Sequence, residues 1–302
     1  MELFRALAAL AEPPSDEESA ERLAESLALG APPTASEYTE VFVFQLYPYA
    51  SVYLGEEGML GGEARGRVAG FWRALGQTPH AEADHLSSLL ALYARLVELE
   101  EAEPEAVRRA GWRGARKALL WEHLLSWVTV YLDKLSEIAP PFYRGWGELL
   151  SKALLEEAAT VGAQDALPAH LRAAGGLADP RAQAFEEFSQ SLLAPVRSGL
   201  ILVRSDLNRA ARSLNLGARA GERRFTLKSL LGQDAAGVLG WLAEEAARRA
   251  ALHRVRRVML GHVAAWWEAK AEATAALLRE LSSEAGEAAS PTVREGGGRN
   301  DE

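Results

Sequence analysis

Residues that start and stop helices recur along the chain, and they constrain its fold more than any other feature of the sequence. Ser15 with Glu18, and Thr34 with Glu37, have the spacing of a capping box, in which two residues satisfy amides at a helix start. Proline pairs at 13–14, 32–33 and 140–141 divide the apolar periodicity into segments of helical length. No stretch alternates apolar and polar residues between hairpin turns. The sequence therefore predicts an all-α fold.

The composition changes near Pro195 and suggests a division of the chain. Its 302 residues suffice for two domains or for one large one. Large aromatic residues are frequent before Pro195, whereas arginine and alanine dominate after it. We predict a helical domain over 1–195 that folds alone and a helical extension over 196–285, arginine-rich at its start. A disordered tail is expected over 286–302, which contains Pro291 and three consecutive glycines.

Several classes of chemistry are disfavoured by what the sequence lacks. Without cysteine there are no disulfides, thiolate metal sites or cysteine nucleophiles. Gly61 and Gly66 have the spacing of a phosphate loop, but Arg67 stands where lysine is required, and no Gly-x-Ser-x-Gly elbow occurs. We therefore expect neither an enzyme nor a bound cofactor. A chain without a signal sequence or a membrane-length apolar run is expected to be cytoplasmic, with no membrane partner.

Charge is distributed unevenly along this chain of net charge −9. Residues 1–60 hold two arginines against eleven acids, whereas residues 197–228 hold eight basic residues against two acids. The basic stretch is a candidate anion-binding surface or, in the alternative function we considered, a nucleic-acid-binding one. Solvated helix faces or pairing with the acidic front would give the same counts. The candidate anion-binding residues are Arg204, Arg209, Arg212, Arg223 and Arg224.

The stretch from Pro79 to Leu86 has the strongest functional signal. Thr78 followed by Pro79 predicts a helix start, with Asp84 close to the exposed amides of the first turn. His85 would then head an apolar stripe on the same helix face, formed by Leu89, Leu92 and Leu96.

A second aromatic and ionisable segment runs from Trp121 to Trp127. His123 and Trp127 are four residues apart and share a helix face. A metal site that joins both segments, through Asp84, His85, Glu122 and His123, is conceivable but lacks diagnostic spacing. We favour buried histidines with hydrogen-bonded partners. Trp72, Trp121, Trp127 and Trp146 lie on the predicted helices near these two segments. Most of these tryptophans should belong to the core, while those at a groove rim could contact a basic peptide.

These segments, in this order, resemble the TorD family of molybdoenzyme-specific chaperones, which includes the DmsD and NarJ types. Four stretches carry the resemblance: 37–44 before Pro48; 48–54 with Gly58; Glu82-Ala83-Asp84-His85-Leu86; and 123–127 with the later Phe142-Tyr143. The similarity is clear over about 34–150 and extends over 1–195. Many relatives have proline beside the acid of the Asp-His motif, where this chain has Ala83.

The resemblance implies an all-helical chaperone that binds the twin-arginine signal peptide of a molybdopterin-dependent oxidoreductase subunit. Such a chaperone holds the subunit back from export until the cofactor is inserted. Direct binding of the molybdopterin cofactor or of a guanine nucleotide remains open. With the aromatic residues discussed above, the expected peptide-binding residues are Tyr49, Ser51, Tyr53, Trp72, Glu82, Asp84, His85, His123 and Trp127.

Overall fold

The computed structural model describes residues 2–14, 17–218 and 221–289. The described chain contains helices and no β-strand, so the all-α prediction is confirmed. Its first half comprises α1 (Glu2–Ala9), α2 (Glu17–Ser26), α3 (Ala35–Tyr38), π1 (Thr39–Val43), α4 (Ala50–Leu54), α5 (Gly62–Ala74), α6 (Leu86–Ala102), α7 (Ala106–Ala118) and π2 (Leu119–Leu124). Then follow α8 (Val128–Ile138), α9 (Pro141–Val161), α10 (Ala169–Ala173), α11 (Phe185–Leu193), α12 (Pro195–Ser198), α13 (Arg204–Ser213), α14 (Arg223–Gln233) and α15 (Ala235–Ala289).

Local signals predicted some helix starts correctly. The Thr34 hydroxyl accepts the amide of Glu37 at 3.1 Å, and the Glu37 carboxylate accepts the amide of Thr34 at 2.8 Å, so the capping box that opens α3 is formed. Pro141 occupies the first position of α9, where its missing amide hydrogen costs nothing. The other predicted capping box includes Ser15, which lies outside the described residues.

The helix expected to begin at Pro79 begins instead at Leu86. Residues before it run beside the start of α4, where the Leu86 amide donates to the Pro48 carbonyl at 2.8 Å and the Ala50 amide donates to the Asp84 carbonyl at 3.0 Å. These two bonds form a single antiparallel bridge between Tyr49 and His85, and Asp84 lies in the turn that precedes it. Contacts with a distant segment therefore override the local proline signal.

Three further boundaries differ from expectation. The aromatic stretch 47–54 around Pro48 predicts an extended or irregular segment, but residues 50–54 form α4. The sequence predicts a helix over about 107–136 with a possible break at Gly111 or Gly114, but both glycines lie inside α7 and the break comes at residues 125–127. Asp179-Pro180 has the N-cap and proline signal of a helix start, but the Asp179 carboxylate accepts the Arg181 amide at 2.9 Å in a local turn. Helix α11 begins only at Phe185.

The 55-residue helix α15 is a hairpin of two antiparallel arms. Gly261 has φ 47° and ψ −119°, which is not helical. The Ser282 hydroxyl donates to the Ala236 carbonyl at 2.8 Å, across 46 residues that would span about 69 Å in a straight helix. Nearer the turn, Arg254 pairs with Glu268 at 2.8 Å. The arms therefore reverse direction at Gly261.

The hydrophobic packing crosses the expected boundary at Pro195. The larger core, built mainly from residues before it, also includes Val196, Ile201 and Trp267. The Trp267 indole donates to the Ser126 carbonyl at 2.9 Å. A second cluster combines residues from α11 with residues from α13 to α15. Residues 286–289, assigned to the expected tail, continue α15, and residues 290–302 lie outside the described chain.

Candidate functional site

Asp84 lies in the interior and caps a helix to which it does not belong. Its Oδ2 accepts the amide of Ser51, in the first turn of α4, at 3.0 Å, and only 1% of its surface is exposed. A carboxylate is favoured at this position because the first amides of a helix have no partners within it. The expectation that Asp84 lies in the first turn of its own helix is therefore wrong.

Ser51, Tyr53 and Trp127 are also part of the core. The Ser51 hydroxyl accepts the amide of Gly61 at 3.1 Å and so connects α4 to the glycine-rich loop that follows. The Tyr53 ring stacks on the Trp127 ring at 5.1 Å with an interplanar angle of 5°, and all three residues are buried. These residues can influence a bound peptide only by positioning the surface around them.

His85 is the N-cap of α6. Its Nδ1 lies 3.2 Å from the amide nitrogen of Ser87 and 2.6 Å from the Ser87 hydroxyl oxygen, and the tautomer of the neutral ring decides whether Nδ1 accepts from the amide or donates to the hydroxyl. Burial lowers the pKa of His85, although the nearby carboxylates of Glu12, Glu82 and Asp84 oppose this shift. The Ser87 hydroxyl donates to the Glu12 carboxylate, whose Oε1 lies 3.4 Å from His85 Nδ1. A buried histidine is thus connected to a carboxylate that is half exposed.

An open cleft of about 430 Å³ lies over this network between α1, α5 and α6. We call it the Trp72 cleft, and it is lined by Arg5, Ala8, Ala9, Glu12, Trp72, His80, Ser87, Ser88 and Ala91. Trp72 is 7% exposed, and its Nε1–H has no acceptor among the described residues. Because buried donors are nearly always satisfied, this indole can accommodate an acceptor from a ligand.

The charged side chains that line the Trp72 cleft are those of Glu12 and Arg5. A second carboxylate, that of the exposed Glu82, acts on nearby tyrosines: burial first, and then Glu82, raises the pKa of Tyr49. Burial, followed by Glu12 and Glu82, raises the pKa of Tyr38 to about 12. Arg5, the cation in the lining, is paired with Glu98 at 2.7 Å. Glu12 and Glu82 can therefore attract a guanidinium or ammonium group.

His123 lies in a separate buried region. Its ring packs at 5.1 Å from Phe71 and at 6.1 Å from His170, and its Nδ1 has no partner among the described residues. Burial and then His170 lower the pKa of His123 to about 3. The neighbouring Glu122 accepts the Ala169 amide at 2.8 Å.

The conceivable metal site formed by Asp84, His85, Glu122 and His123 does not assemble. Within the described residues, the acidic groups close enough to share an ion are Glu137, Asp206 and Glu245. Their oxygens accept hydrogen bonds from the side chains of Lys134, Arg209 and Arg249. Lysine and arginine side chains of the protein therefore neutralise this cluster of carboxylates.

The five candidate anion-binding arginines differ in their surroundings. Arg209 pairs with the buried carboxylates of Asp206 at 3.0 Å and Glu245 at 3.1 Å. Arg223 donates to the Leu202 carbonyl at 2.8 Å. The Arg204 guanidinium lies 5.9 Å from the centre of the Phe44 ring.

Arg212 is exposed and Arg224 is half-buried, and neither has a partner among the described residues. Arg219, also in the basic stretch, lies outside the described residues. Anion binding by this stretch remains a prediction, for which Arg212 and Arg224 are the available groups.

The sequence did not identify Glu12, His80 and Ser87 as site residues. Glu12 precedes a proline pair and has no local signal of function. Ser87 could have been recognised only as the residue whose amide is capped by the His85 side chain. That inference required the correct start of α6. A long-range contact between the end of α1 and the start of α6 creates this part of the cleft.

These features define an all-helical protein in which a buried Asp-His turn lies beside an open, acidic and aromatic cleft. The family model described as "Nitrate reductase delta subunit" matches residues 10–132, which include all the predicted peptide-binding residues. This match supports the resemblance to the NarJ/TorD-type family of maturation chaperones over these residues. No curated protein matches the chain. None of the described helices combines the length and the apolarity that crossing a membrane requires.

Proposed function

We propose that this protein is a cytoplasmic chaperone that binds the twin-arginine signal peptide of a molybdopterin-dependent oxidoreductase subunit. It would hold the apo-subunit until the cofactor has been inserted. The match to the family model over residues 10–132 supports the general role. The observation that supports peptide binding is the Trp72 cleft, where an unsatisfied indole donor lies beside the carboxylate of Glu12.

An extended peptide matches this cleft in both charge and hydrogen bonding. A backbone carbonyl of the peptide can accept from Trp72 Nε1–H, which removes the cost of leaving that donor unpaired. An arginine can form two parallel hydrogen bonds to the Glu12 carboxylate while its planar group packs on the aromatic rings. Each such charge-assisted hydrogen bond contributes about 1.5–3 kcal/mol to the free energy of binding. A few of these bonds give an affinity from which the peptide can still dissociate.

Capture of the client from cells tests the role. The full-length chain, tagged and expressed beside its candidate oxidoreductase subunit, should retain that subunit in a form without molybdenum. The Glu12→Gln, Glu82→Gln double variant should retain far less. Glu101→Gln with Glu148→Gln is the matched control, because both residues are exposed and form no hydrogen bond or ion pair with the described residues.

Two results would contradict the proposed function. One is capture of only the mature, molybdenum-loaded subunit, because a chaperone that acts before insertion must bind the apo form. The other is equal capture by the site and control variants, which would remove the Trp72 cleft from client binding.

A further inference from the structure

A second cleft, of about 370 Å³, lies between the glycine-rich loop of residues 55–62 and helix α10. We call it the loop cleft. The loop is held in place by packing: a Cβ at Gly58, where φ is 63°, would lie 3.0 Å from Ala194 Cα. The Gly61 amide is fixed by its hydrogen bond to the Ser51 hydroxyl at 3.1 Å. The cleft is therefore a defined surface, positioned by buried residues of the Asp-His region.

Apolar and acidic groups together line the loop cleft. Met59 is 63% exposed and Leu60 is 56% exposed, although both are large apolar side chains. Glu57 is exposed and forms no hydrogen bond or ion pair with the described residues, whereas Glu56 accepts the Gly175 amide at 2.9 Å. Of the carboxylates here, Glu63 is the one paired with the cation Arg67. The lining complements a ligand that is both apolar and positively charged.

An unsatisfied buried group provides an independent indication of a ligand. His170 lines the loop cleft, is only 5% exposed, and has no hydrogen-bond partner for Nε2 among the described residues. Buried polar atoms rarely remain without partners. A neutral imidazole nitrogen can donate to a peptide carbonyl or accept from a peptide amide, depending on the tautomer.

The two clefts are close enough for one peptide to reach both. Ala64 lines the loop cleft and Trp72 lines the other, and they lie eight residues apart on α5, about 12 Å along its axis. Eight residues of extended chain cover about 27 Å, which allows for a path around the helix.

We propose that the loop cleft is a second subsite for the client peptide and holds the apolar segment that follows its arginines. This inference rests on the proposed function. Met59 and Leu60 provide the apolar contact, Glu57 attracts a basic group within or beyond that segment, and His170 bonds to the peptide backbone. Asp84 and Ser51 are positioning residues that hold the loop.

Affinity measurements on full-length variants test this subsite. The probe is a fluorescent 16-residue synthetic peptide with two adjacent arginines followed by leucines and alanines, and anisotropy reports its binding. Met59→Ser with Leu60→Ser should weaken binding at least fivefold. The matched control is Val107→Ser with Val258→Ser, because these side chains are 78% and 94% exposed and lie outside both clefts.

Because the chain has no cysteine, site-directed cross-linking can determine which end of the peptide occupies the loop cleft. A Leu60→Cys variant should form a disulfide rapidly with a peptide activated at a cysteine after the apolar segment, and slowly when the cysteine precedes the arginines. Val107→Cys should react slowly with both. Formation of the bond needs only the activated peptide disulfide, whose leaving thiol is displaced by the cysteine thiolate.

The outcomes separate this inference from the proposed function. If the unmodified protein binds the peptide, but the Met59 and Leu60 variant binds it equally well, the second subsite is wrong and the proposed function stands. Equal cross-linking by Leu60→Cys and Val107→Cys leads to the same conclusion. If the unmodified protein does not bind the peptide at all, both are wrong.

Discussion

The carboxylate of Asp84 accepts the backbone amide of Ser51 at 3.0 Å, across 33 residues of the chain. This bond joins the Asp-His turn to the start of α4, and the Ser51 hydroxyl continues the connection to Gly61. The most suggestive acid in the sequence therefore stabilises the region between the two clefts, and the carboxylates available to a ligand are those at the surface.

We predict that Asp84→Ala lowers the free energy of unfolding and does not remove a direct contact with the peptide. Removing the carboxylate leaves the buried Ser51 amide without an acceptor and should cost about 1–3 kcal/mol. Urea unfolding measures this cost. Asp84→Asn, which keeps an acceptor of the same shape, should lose less. Unchanged unfolding with reduced peptide affinity would instead identify Asp84 as a direct contact, as the sequence alone suggested.

We also predict that stability falls as the pH drops below about 6.5. The pKa of His123 is lowered to about 3, by burial and then His170, and that of His170 to about 4, by burial and then Arg67. In the unfolded chain both histidines have a pKa near 6.5. Between this pH and the lower pKa values of the folded protein, only the unfolded state takes up these protons. Each histidine should therefore lower the free energy of unfolding by about 2 kcal/mol at pH 5 relative to pH 7.

Denaturant unfolding at the two pH values tests this dependence, with His123→Gln as the informative variant. The stability difference between pH 7 and pH 5 should shrink by about 2 kcal/mol when one of the two histidines is removed. An unchanged difference would show that His123 takes up its proton equally in both states.

The sequence correctly predicted features that depend on residues close together in the chain. Its predictions were wrong where contacts with distant segments determine the local structure. Thr34 and Glu37 form the expected capping box because its bonds span three residues. The start of α6 was misplaced because hydrogen bonds with residues 48–51 hold Asp84 and His85 outside the helix. The turn at Gly261 was missed because a single glycine in an alanine- and arginine-rich segment is also compatible with a continuous helix.

Packing across Pro195 leads us to expect that a fragment of residues 1–195 will not melt cooperatively, contrary to the expectation from composition. The fragment lacks Asp206, which accepts from Lys134 at 2.9 Å, and each of these residues is only 1% exposed. In the full chain, Asp206→Ala should cost about 3–5 kcal/mol because it leaves Lys134 buried without this partner.

Arg212→Ala is the matched control for Asp206→Ala, because it changes an exposed residue of the same helix. It should alter stability by no more than about 0.5 kcal/mol. Circular dichroism melts of the fragment and of both variants provide the test. A cooperative melt of residues 1–195 would show that the C-terminal helices are not needed for the first core.

Gly261→Ala should destabilise the protein because the backbone at the tip of the α15 hairpin has φ 47° and ψ −119°. A side chain in this conformation costs about 1–3 kcal/mol. Gly111→Ala is the opposite case: Gly111 lies in α7 with no atom within 4 Å of an added Cβ. It should stabilise the helix by about 0.5–1 kcal/mol. Thermal melts of both variants test these two predictions. A Gly261→Ala variant with unchanged stability would contradict the hairpin geometry.

Calorimetric titration of the full-length protein with a client's twin-arginine signal peptide tests the central claim most directly. We expect saturable one-to-one binding that weakens at least tenfold when both peptide arginines are replaced by glutamine. The same weakening should follow from Glu12→Gln with Glu82→Gln, and not from Glu101→Gln with Glu148→Gln. No measurable heat of binding with the native peptide, or equal affinity for the glutamine peptide, would contradict the account.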